Sequence, residues 1–331
     1  MDIRRIRAFT HEYTEKDDRI AALSYFGTFA VYFAALGLGT WALASVHWIV
    51  AAPFVVVLGF ASVRLYVLQH DCGHASLFSK RQWNDWAGYG LSVFTLTPYA
   101  VMRHNHNLHH AHVGNLDHRE DGEVYTMTLA EWQRAGRVER LIYRVYRNPV
   151  LMLGLGGLYT YFIRYRWPRN TQDVGVPGVA AHNVLVLAWF ALVWLAGGWA
   201  GLSVLLASAV LAGVIGVFLV YLQHNFEDTH WDRRPDLNPQ VAALQGSSCL
   251  NLGHWRDIGT GNIAYHDIHH FNPRIPSYRL RKCHFAMDAI APMRRIGWAE
   301  ALASFRLKLW DEEAGRLVPF PSRTEERVAT A

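Results

Sequence analysis

Three short segments of the chain combine histidines at spacings that suit a metal site. Residues 70–74 have the form HxxxH, whereas residues 106–110 and 266–270 both have the form HxxHH. Residues three and four apart lie on the same face of an α-helix, so each segment is expected to direct its imidazoles together. The eight histidines are His70, His74, His106, His109, His110, His266, His269 and His270.

The number of these histidines indicates two metal ions. Imidazole binds iron, zinc and copper, and one such ion takes about four to six ligands. Eight convergent imidazoles therefore exceed the needs of one ion. An isolated HxxxH segment is as often structural as functional. Three segments of this kind, two of them with identical spacing, favour a metal centre.

Two common classes of metalloenzyme do not match these segments. Zinc peptidases of the HExxH type need a glutamate beside the first histidine as general base, and position 71 is an aspartate. Soluble di-iron carboxylate bundles use two ExxH segments. The single such segment near the histidines runs from Glu227 to His230. Both classes are excluded on the residues that their chemistry requires.

Two long stretches without Asp, Glu, Lys or Arg must position the histidines. They run from Ile20 to Val63 and from Val174 to Phe226. A bilayer crossing takes roughly 20 apolar residues, so each stretch is long enough for two helices. Turns are predicted at Ser45–Trp48 and at Gly197–Gly201. The predicted helices cover about 20–43, 48–69, 178–196 and 202–223.

The distribution of basic residues predicts the orientation of these helices. The two outer turns contain no Lys or Arg, whereas the segments at the opposite ends are rich in both. The positive-inside rule then places both termini and the active site in the cytoplasm. The sequence therefore predicts an all-α, multi-pass integral membrane protein of a bacterial inner membrane. Its single domain, 1–331, has four transmembrane helices in two hairpins and a cytoplasmic helical cap from 70–177 and 224–320.

The composition supports a membrane core with a polar cap. Hydrophobic residues make up 51% of the chain, yet charged residues reach 18%. The 13 tryptophans suit interfacial belts. With a charge-free apolar core, the net charge of +5 favours anionic lipid headgroups over nucleic acid as the partner. The three cysteines form no CxxC pair, so no thiolate zinc site is expected.

Two further apolar segments, about 84–101 and 148–163, are expected at the membrane interface.

The three histidine segments, in this order, resemble the histidine boxes of the membrane fatty acid desaturase superfamily. The similarity extends to bacterial acyl-lipid desaturases of the delta-12 or omega-6 kind. It rests on the segments 223–231 (QHNFEDTHW), 244–248 (LQGSS) and 261–284. Position 230 departs from the pattern, with histidine where an aromatic residue is usual.

The resemblance implies an activity and its cofactors. An enzyme of this family holds two Fe ions, consumes O₂ and introduces a cis double bond into a fatty acyl chain. An acyl group on a membrane lipid is favoured over acyl-CoA. The chain has no GxGxxG fingerprint, so electrons must come from an external donor of the ferredoxin or cytochrome b5 type. The resemblance also implies a ninth ligand, with His224 as the candidate and His230 as its rival.

Several residues around the boxes have open roles at this point. Asp71, Asp117 and Asp267 are candidates to accept the outer ring N–H of a liganding histidine. His104, His112 and His118 flank the second box as supporting or merely polar residues.

Two other functions are compatible with parts of this pattern. A hydroxylase, carotenoid ketolase or alkane monooxygenase uses the same scaffold, with an oxygen atom transferred to the substrate. A membrane metal transporter would need polar residues within the helices. The four predicted helices offer almost none besides His47 and His182.

Overall fold

The computed structural model describes residues 2–121, 124–166 and 174–322, so residues 167–173 of the predicted cytoplasmic segment lie outside the description. The described chain is mostly helical. Its α-helices are α1 (Ile3–His11), α2 (Asp18–Ser45), α3 (Trp48–Gly73), α4 (Arg81–Ser92), α5 (Tyr99–His112), α6 (Leu129–Arg134), α7 (Arg137–Tyr146), α8 (Pro149–Leu158), α9 (Val176–His224), α10 (Pro239–Gln245), α11 (His254–Gly259), α12 (His266–Phe271), α13 (Ser277–Met287) and α14 (Trp298–Ser304).

Three of these helices are long and apolar enough to cross a membrane, namely α2, α3 and α9. The sequence predicted helices at 20–43 and 48–69, and α2 and α3 extend each of these by a few residues. The turn between them is short. His47 begins α3 by accepting a hydrogen bond from the backbone N–H of Ile49 at its Nδ1, over 3.3 Å.

The helix α9 contains a backbone break at the position where a turn was predicted. Gly198 has φ 56° and ψ −148°, a conformation that is essentially restricted to glycine. A Cβ placed on Gly201 would lie 3.1 Å from the carbonyl oxygen of Val193. Eight residues of continuous helix would separate these positions by about 12 Å. The chain therefore folds back at Gly198, and the turn is shorter than the expected Gly197–Gly201.

The long helices pack closely through small residues. A Cβ on Gly39 of α2 would lie 3.0 Å from Cγ1 of Val204 in α9. One on Gly59 of α3 would lie 2.9 Å from Cδ2 of Leu211 in α9. Such close approach maximises dispersion contacts, which hold helices together where lipid removes the hydrophobic driving force.

The polar cap is attached to the helix α3 through an arginine. Nε of Arg64 donates to Oγ1 of Thr28 in α2 over 3.0 Å, and Nη1 donates to the carbonyl oxygen of Ile258 in α11. A Cβ on Gly259 would lie 2.9 Å from the ring of Phe60, so α11 lies directly against α3. This contact positions the chain that leads into the third histidine segment.

The cap contains short strands that the sequence did not predict. Strand β1 (Cys249–Leu250) pairs in parallel with β2 (Arg295–Ile296), and β3 (Leu309–Asp311) pairs antiparallel with β4 (Arg316–Val318). The sequence predicted a helical cap, and these four short strands add to its helices. Two or three residues are too few to produce the alternation of apolar and polar residues by which strands are recognised.

The two additional apolar segments form different structures. Residues 84–101 are divided between α4, a connection that turns at residues 93–96, and the start of α5. Residues 148–163 form α8 and a π-helical turn, Tyr159–Ile163, followed by a 3₁₀ turn, Arg164–Arg166. One face of α8 is open, with Val150 79% exposed. The other face packs on α9, where Gly157 and Gly213 meet backbone to backbone.

This packing predicts different stability effects for two glycines of α8. A Cβ on Gly157 would lie 2.6 Å from Cα of Gly213, whereas one on Gly154 would meet no atom within 4 Å. Gly157→Ala should destabilise the fold by about 1–3 kcal/mol through overpacking. Gly154→Ala should stabilise it by about 0.5–1 kcal/mol. Thermal unfolding in mild detergent measures both, and equal midpoints for the two variants would contradict the assignment.

Candidate metal centre

Nine histidines converge from four segments of the chain. His70 lies in the last turn of α3, and His74 caps that helix. The helix α9 ends at His224. The helices α5 and α12 each supply the three histidines of one HxxHH segment. The ninth candidate, expected from resemblance, therefore lies with the eight expected from spacing.

The nine imidazoles form two groups, and the candidate ligand atoms within each group lie within 4.8 Å of one another. Each HxxHH segment contributes its first and last histidine to one group and its middle histidine to the other. Successive residues of an α-helix are about 100° apart, so adjacent histidines diverge. The first group contains His70, His74, His106, His110 and His269; the second contains His109, His224, His266 and His270.

The distances between ring nitrogens match the edges of a coordination shell. Nε2 of His110 lies 2.9 Å from Nε2 of His106 and 3.0 Å from Nε2 of His269. Nε2 of His224 lies 3.2 Å from that of His109 and 3.1 Å from that of His266. Imidazole nitrogens bound at about 2.0–2.1 Å to one zinc ion would be about 2.9–3.4 Å apart. Both groups are therefore compact enough to hold an ion.

The tautomer of His224 follows from its hydrogen bond. Its Nδ1 lies 2.9 Å from the carbonyl oxygen of Gly246, which can only accept. Nδ1 therefore carries the hydrogen, and the lone pair of Nε2 points into the second group. A backbone acceptor of this kind fixes the ring orientation of a liganding histidine.

The surroundings of the histidines keep their rings neutral. Burial, followed by the proximity of the other histidines, lowers the pKa of six rings outside the long helices well below its usual value. Neutral imidazole is the form that binds metal ions. The rings concerned are His74, His106, His110, His266, His269 and His270.

Two nitrogens of the first group need a partner. Nε2 of His70 and Nε2 of His74 are buried, and neither makes a hydrogen bond within the described residues. An unsatisfied buried polar atom costs about 1–3 kcal/mol. A metal ion in the first group would satisfy both atoms, so the residues present fit the group that the sequence predicted.

The three candidate aspartates have different surroundings. Oδ1 of Asp71 lies 3.6 Å from Nδ1 of His70, and its Oδ2 accepts the backbone N–H of Ser277 over 2.8 Å. Oδ1 of Asp267 lies 3.3 Å from Nδ1 of His284, which belongs to neither group. Asp117 forms a salt bridge with Arg233 at the surface, over 3.1 Å. Of the three, Asp71 is the one placed beside a histidine of the centre.

The other candidate histidines lie outside both groups of the described chain. His230, the rival of His224, uses its backbone N–H to bind the carbonyl oxygen of Gln245 over 3.0 Å. The rings of His112 and His118 stack at 4.4 Å. His104 is half-buried in α5. The structure therefore places His224, and not His230, in a group with the histidines of the boxes.

A buried arginine near the centre was not identified from the sequence. Arg147 is fully buried, and its Nη2 donates to Oδ1 of Asn225 over 2.7 Å. Asn225 follows His224, and its own Nδ2 donates to the carbonyl oxygen of Ser304 over 2.8 Å. This network ties the end of α9 to two parts of the cap. In the sequence, Arg147 only marks the boundary of an apolar segment, and that signal does not reveal its burial.

A narrow cavity of about 50 Å³ adjoins the centre, and histidines of both groups form part of its wall. The rest of the wall is mostly apolar, as a site for a hydrocarbon chain requires. The histidines in the wall are His70, His106, His109 and His266, and the apolar side chains include Val63, Val67, Leu219 and Ile263.

Long apolar helices and two buried histidine groups together define a membrane-type helical protein with a candidate dinuclear metal centre. The profile of the fatty acid desaturase family matches residues 46–301, which is more than half of the chain. The chain belongs to the fatty acid desaturase family, whose named members are oxidoreductases.

Individual relatives agree with this assignment. The chain is 31% identical to a fatty acid desaturase of Bacillus subtilis (strain 168), over 93% of this chain and 88% of the relative. It is 24% identical to an sn-1 oleoyl-lipid 12-desaturase of Arthrospira platensis, over 74% of this chain and 70% of the relative. It is 28% identical to an sn-1 acyl-lipid omega-3 desaturase (ferredoxin) of Synechocystis sp., over 79% of this chain and 74% of the relative. The recognition made from the histidine boxes is confirmed.

The position of Asp71 predicts a role in metal affinity. Asp71→Asn removes the negative charge beside Nδ1 of His70. Because such partners of liganding histidines typically contribute about 10–100-fold to metal affinity, the variant should bind metal more weakly by about this factor. Asp117→Asn is the control, because its carboxylate pairs with Arg233 at the surface. Metal content after dialysis against a graded chelator measures both. Equal retention by the two variants would contradict the role of Asp71.

Proposed function

We propose that this protein is an O₂-dependent desaturase that introduces a cis double bond into the acyl chain of a membrane lipid. The observation that carries the proposal is the pair of histidine groups beside an apolar cavity. The wall of that cavity combines candidate ligands from both groups with hydrocarbon side chains. A buried dinuclear site next to such a cavity suits the oxidation of an unactivated methylene.

The two histidine groups are proposed to hold two Fe ions with the nine imidazoles as ligands, five in the first group and four in the second. Bound iron supplies the O₂-activating chemistry that removes two hydrogens from neighbouring methylenes. The chain contributes neutral ligands, excludes water by burial, and holds the acyl chain against the centre. His224 contributes a lone pair whose direction is set by the carbonyl oxygen of Gly246.

The acyl carrier and the electron donor are proposed from the relatives. Two relatives are named for oleoyl or acyl groups on lipids, and one is named with ferredoxin. A membrane lipid is therefore the proposed carrier, and a ferredoxin is favoured over a cytochrome b5-type protein as donor. Purified enzyme in lipid nanodiscs, supplied with each donor separately, tests this choice. Product formation with cytochrome b5 alone would reverse it.

The proposed topology has four crossings, with the centre and both termini in the cytoplasm. The hairpin at Gly198 divides α9 into two crossings. Exposed tryptophans cluster near the outer turns, with Trp48 64% and Trp199 76% exposed, as expected at a membrane interface.

Cysteine labelling tests this topology. The native cysteines are all buried, so background labelling should be low. A cysteine in Trp199→Cys should react with an impermeant maleimide in intact cells. A cysteine in Lys282→Cys, an exposed position of α13, should react only after lysis. Labelling of both in intact cells would contradict the cytoplasmic cap.

Product analysis tests the proposed activity. The enzyme is expressed with a ferredoxin in a bacterium that makes no polyunsaturated lipids, and its fatty acids are analysed by gas chromatography. A new cis double bond is expected. A hydroxylated fatty acid instead would identify the alternative reaction on this scaffold. Unchanged fatty acids in cells that contain iron-loaded enzyme and reduced ferredoxin would refute both.

Two histidine variants test the ligand assignment in the same assay. His224→Ala removes one of the four imidazoles of the second group, so that group should lose its metal and product should disappear. His230→Ala should keep both metals and wild-type product, because His230 lies outside the groups. The metal content of each purified variant is the second readout. Loss of metal from His230→Ala alone would reverse the assignment.

A further inference from the structure

Three cavities of the protein share the same three wall residues, Tyr66, Tyr161 and Gly216. The first is the cavity beside the histidines, here called the inner cavity. The second, the deep cavity, lies among the long helices between Tyr32 and Leu205. The third, the outer cavity, opens between α7, α8 and the π-helical turn. The three residues therefore stand at a junction.

The sizes of the inner and deep cavities limit what each of them can hold. The inner and deep cavities each measure about 50 Å³, while the outer cavity measures about 560 Å³. A volume of 50 Å³ has room for roughly four waters. Neither small cavity can hold a fatty acyl segment as it stands. An acyl chain that reaches the histidines must therefore displace a protein side chain. The shared wall residues are the candidates, because they lie between the cavities.

The geometry points to Tyr161 as the side chain that moves. Its ring packs edge-on against Tyr66, with centroids 5.4 Å apart. A Cβ on Gly216 would lie 2.7 Å from the Tyr161 hydroxyl, so the phenol extends to the bare backbone of α9. Tyr161 lies in the π-helical turn Tyr159–Ile163, whereas Tyr66 and Gly216 belong to long packed helices. Such turns are frequent at functional sites.

We propose that Tyr161 is a gate that the acyl chain displaces on its way past the histidines into the deep cavity. The inference rests on the proposed function and adds a direction of entry. The outer cavity carries charged groups, Glu139 and Arg164, and receives the polar end of the lipid. The deep cavity is lined mostly by apolar and aromatic groups and receives the methyl end. The displaced ring then packs along the chain and fixes which carbons face the centre.

The gate predicts a change of product in Tyr161→Ala. Without the Tyr161 ring, the three cavities are joined, and the acyl chain can shift lengthwise past the histidines. Product with the wild-type double-bond position should fall about tenfold or more, because small misplacements are costly, while neighbouring positions appear. Tyr161→Phe keeps the ring and should keep the wild-type position. Tyr159→Ala is the matched control, since Tyr159 belongs to the same turn but lines only the outer cavity among these three.

A labelling experiment tests the gate without turnover. The metal-loaded protein, kept without an electron donor, is placed in nanodiscs with a phosphatidylcholine that carries a diazirine at the methyl end of one acyl chain. After irradiation, the labelled residues are found by mass spectrometry. Ala209 and Ala212 line the deep cavity, whereas Val210 between them is 42% exposed and reports lipid outside. Labelling at the two alanines, relative to Val210, should rise several-fold in Tyr161→Ala.

The outcomes separate this inference from the proposed function. If the wild-type enzyme desaturates but Tyr161→Ala changes neither the double-bond position nor the labelling ratio, the gate is refuted and the function stands. If Tyr159→Ala produces the same changes, the effect is general loosening of the turn, and the gate is again refuted. If the wild-type enzyme forms no unsaturated product with iron and donor present, the proposed function fails first.

Discussion

The burial of nine imidazoles in one small volume is the constraint on which the rest of the structure depends. Imidazoles this close cannot be charged together, and burial alone already disfavours the charged form. Neutral rings whose lone pairs are directed at one another repel unless a proton or a cation lies between them. The packing thus suits the proposed metal ions, most clearly at His70 and His74, whose buried Nε2 atoms make no hydrogen bond within the described chain.

Meeting that constraint requires the ends of the long helices and the cap to hold fixed positions relative to one another. A few polar contacts do this. Arg64 of α3 binds the carbonyl oxygen of Ile258 in α11. Nε2 of Gln223, beside His224, donates to the carbonyl oxygen of Ile263 over 2.8 Å, just before the third histidine segment. Asp71 binds the backbone of Ser277 after that segment. Each contact joins a long helix to the segment that precedes or follows α12.

The same arrangement explains why the reaction can take place beside a membrane. The wall of the inner cavity contains candidate ligands from both groups together with apolar side chains of α3 and α9. In the proposed function, the acyl chain would thus remain in a hydrocarbon environment up to the candidate metal centre. A gate at Tyr161 would keep the small cavities closed until substrate arrives, which limits the access of water to the centre.

Much of the fold and most of the candidate site could be read from the sequence, because both depend on local patterns. Apolar runs determine where α2, α3 and α9 lie, and helical periodicity identifies the eight histidines of the boxes. Only the tertiary structure decided how these histidines are divided between the two groups. His109, for instance, lies in the group of His224, whereas His106 and His110 lie in the other group. It also decided that Asp267 faces His284, that Arg147 is buried, and that Tyr161 meets Gly216. Those relations depend on the angles and distances between segments far apart in the chain, and no local spacing encodes them.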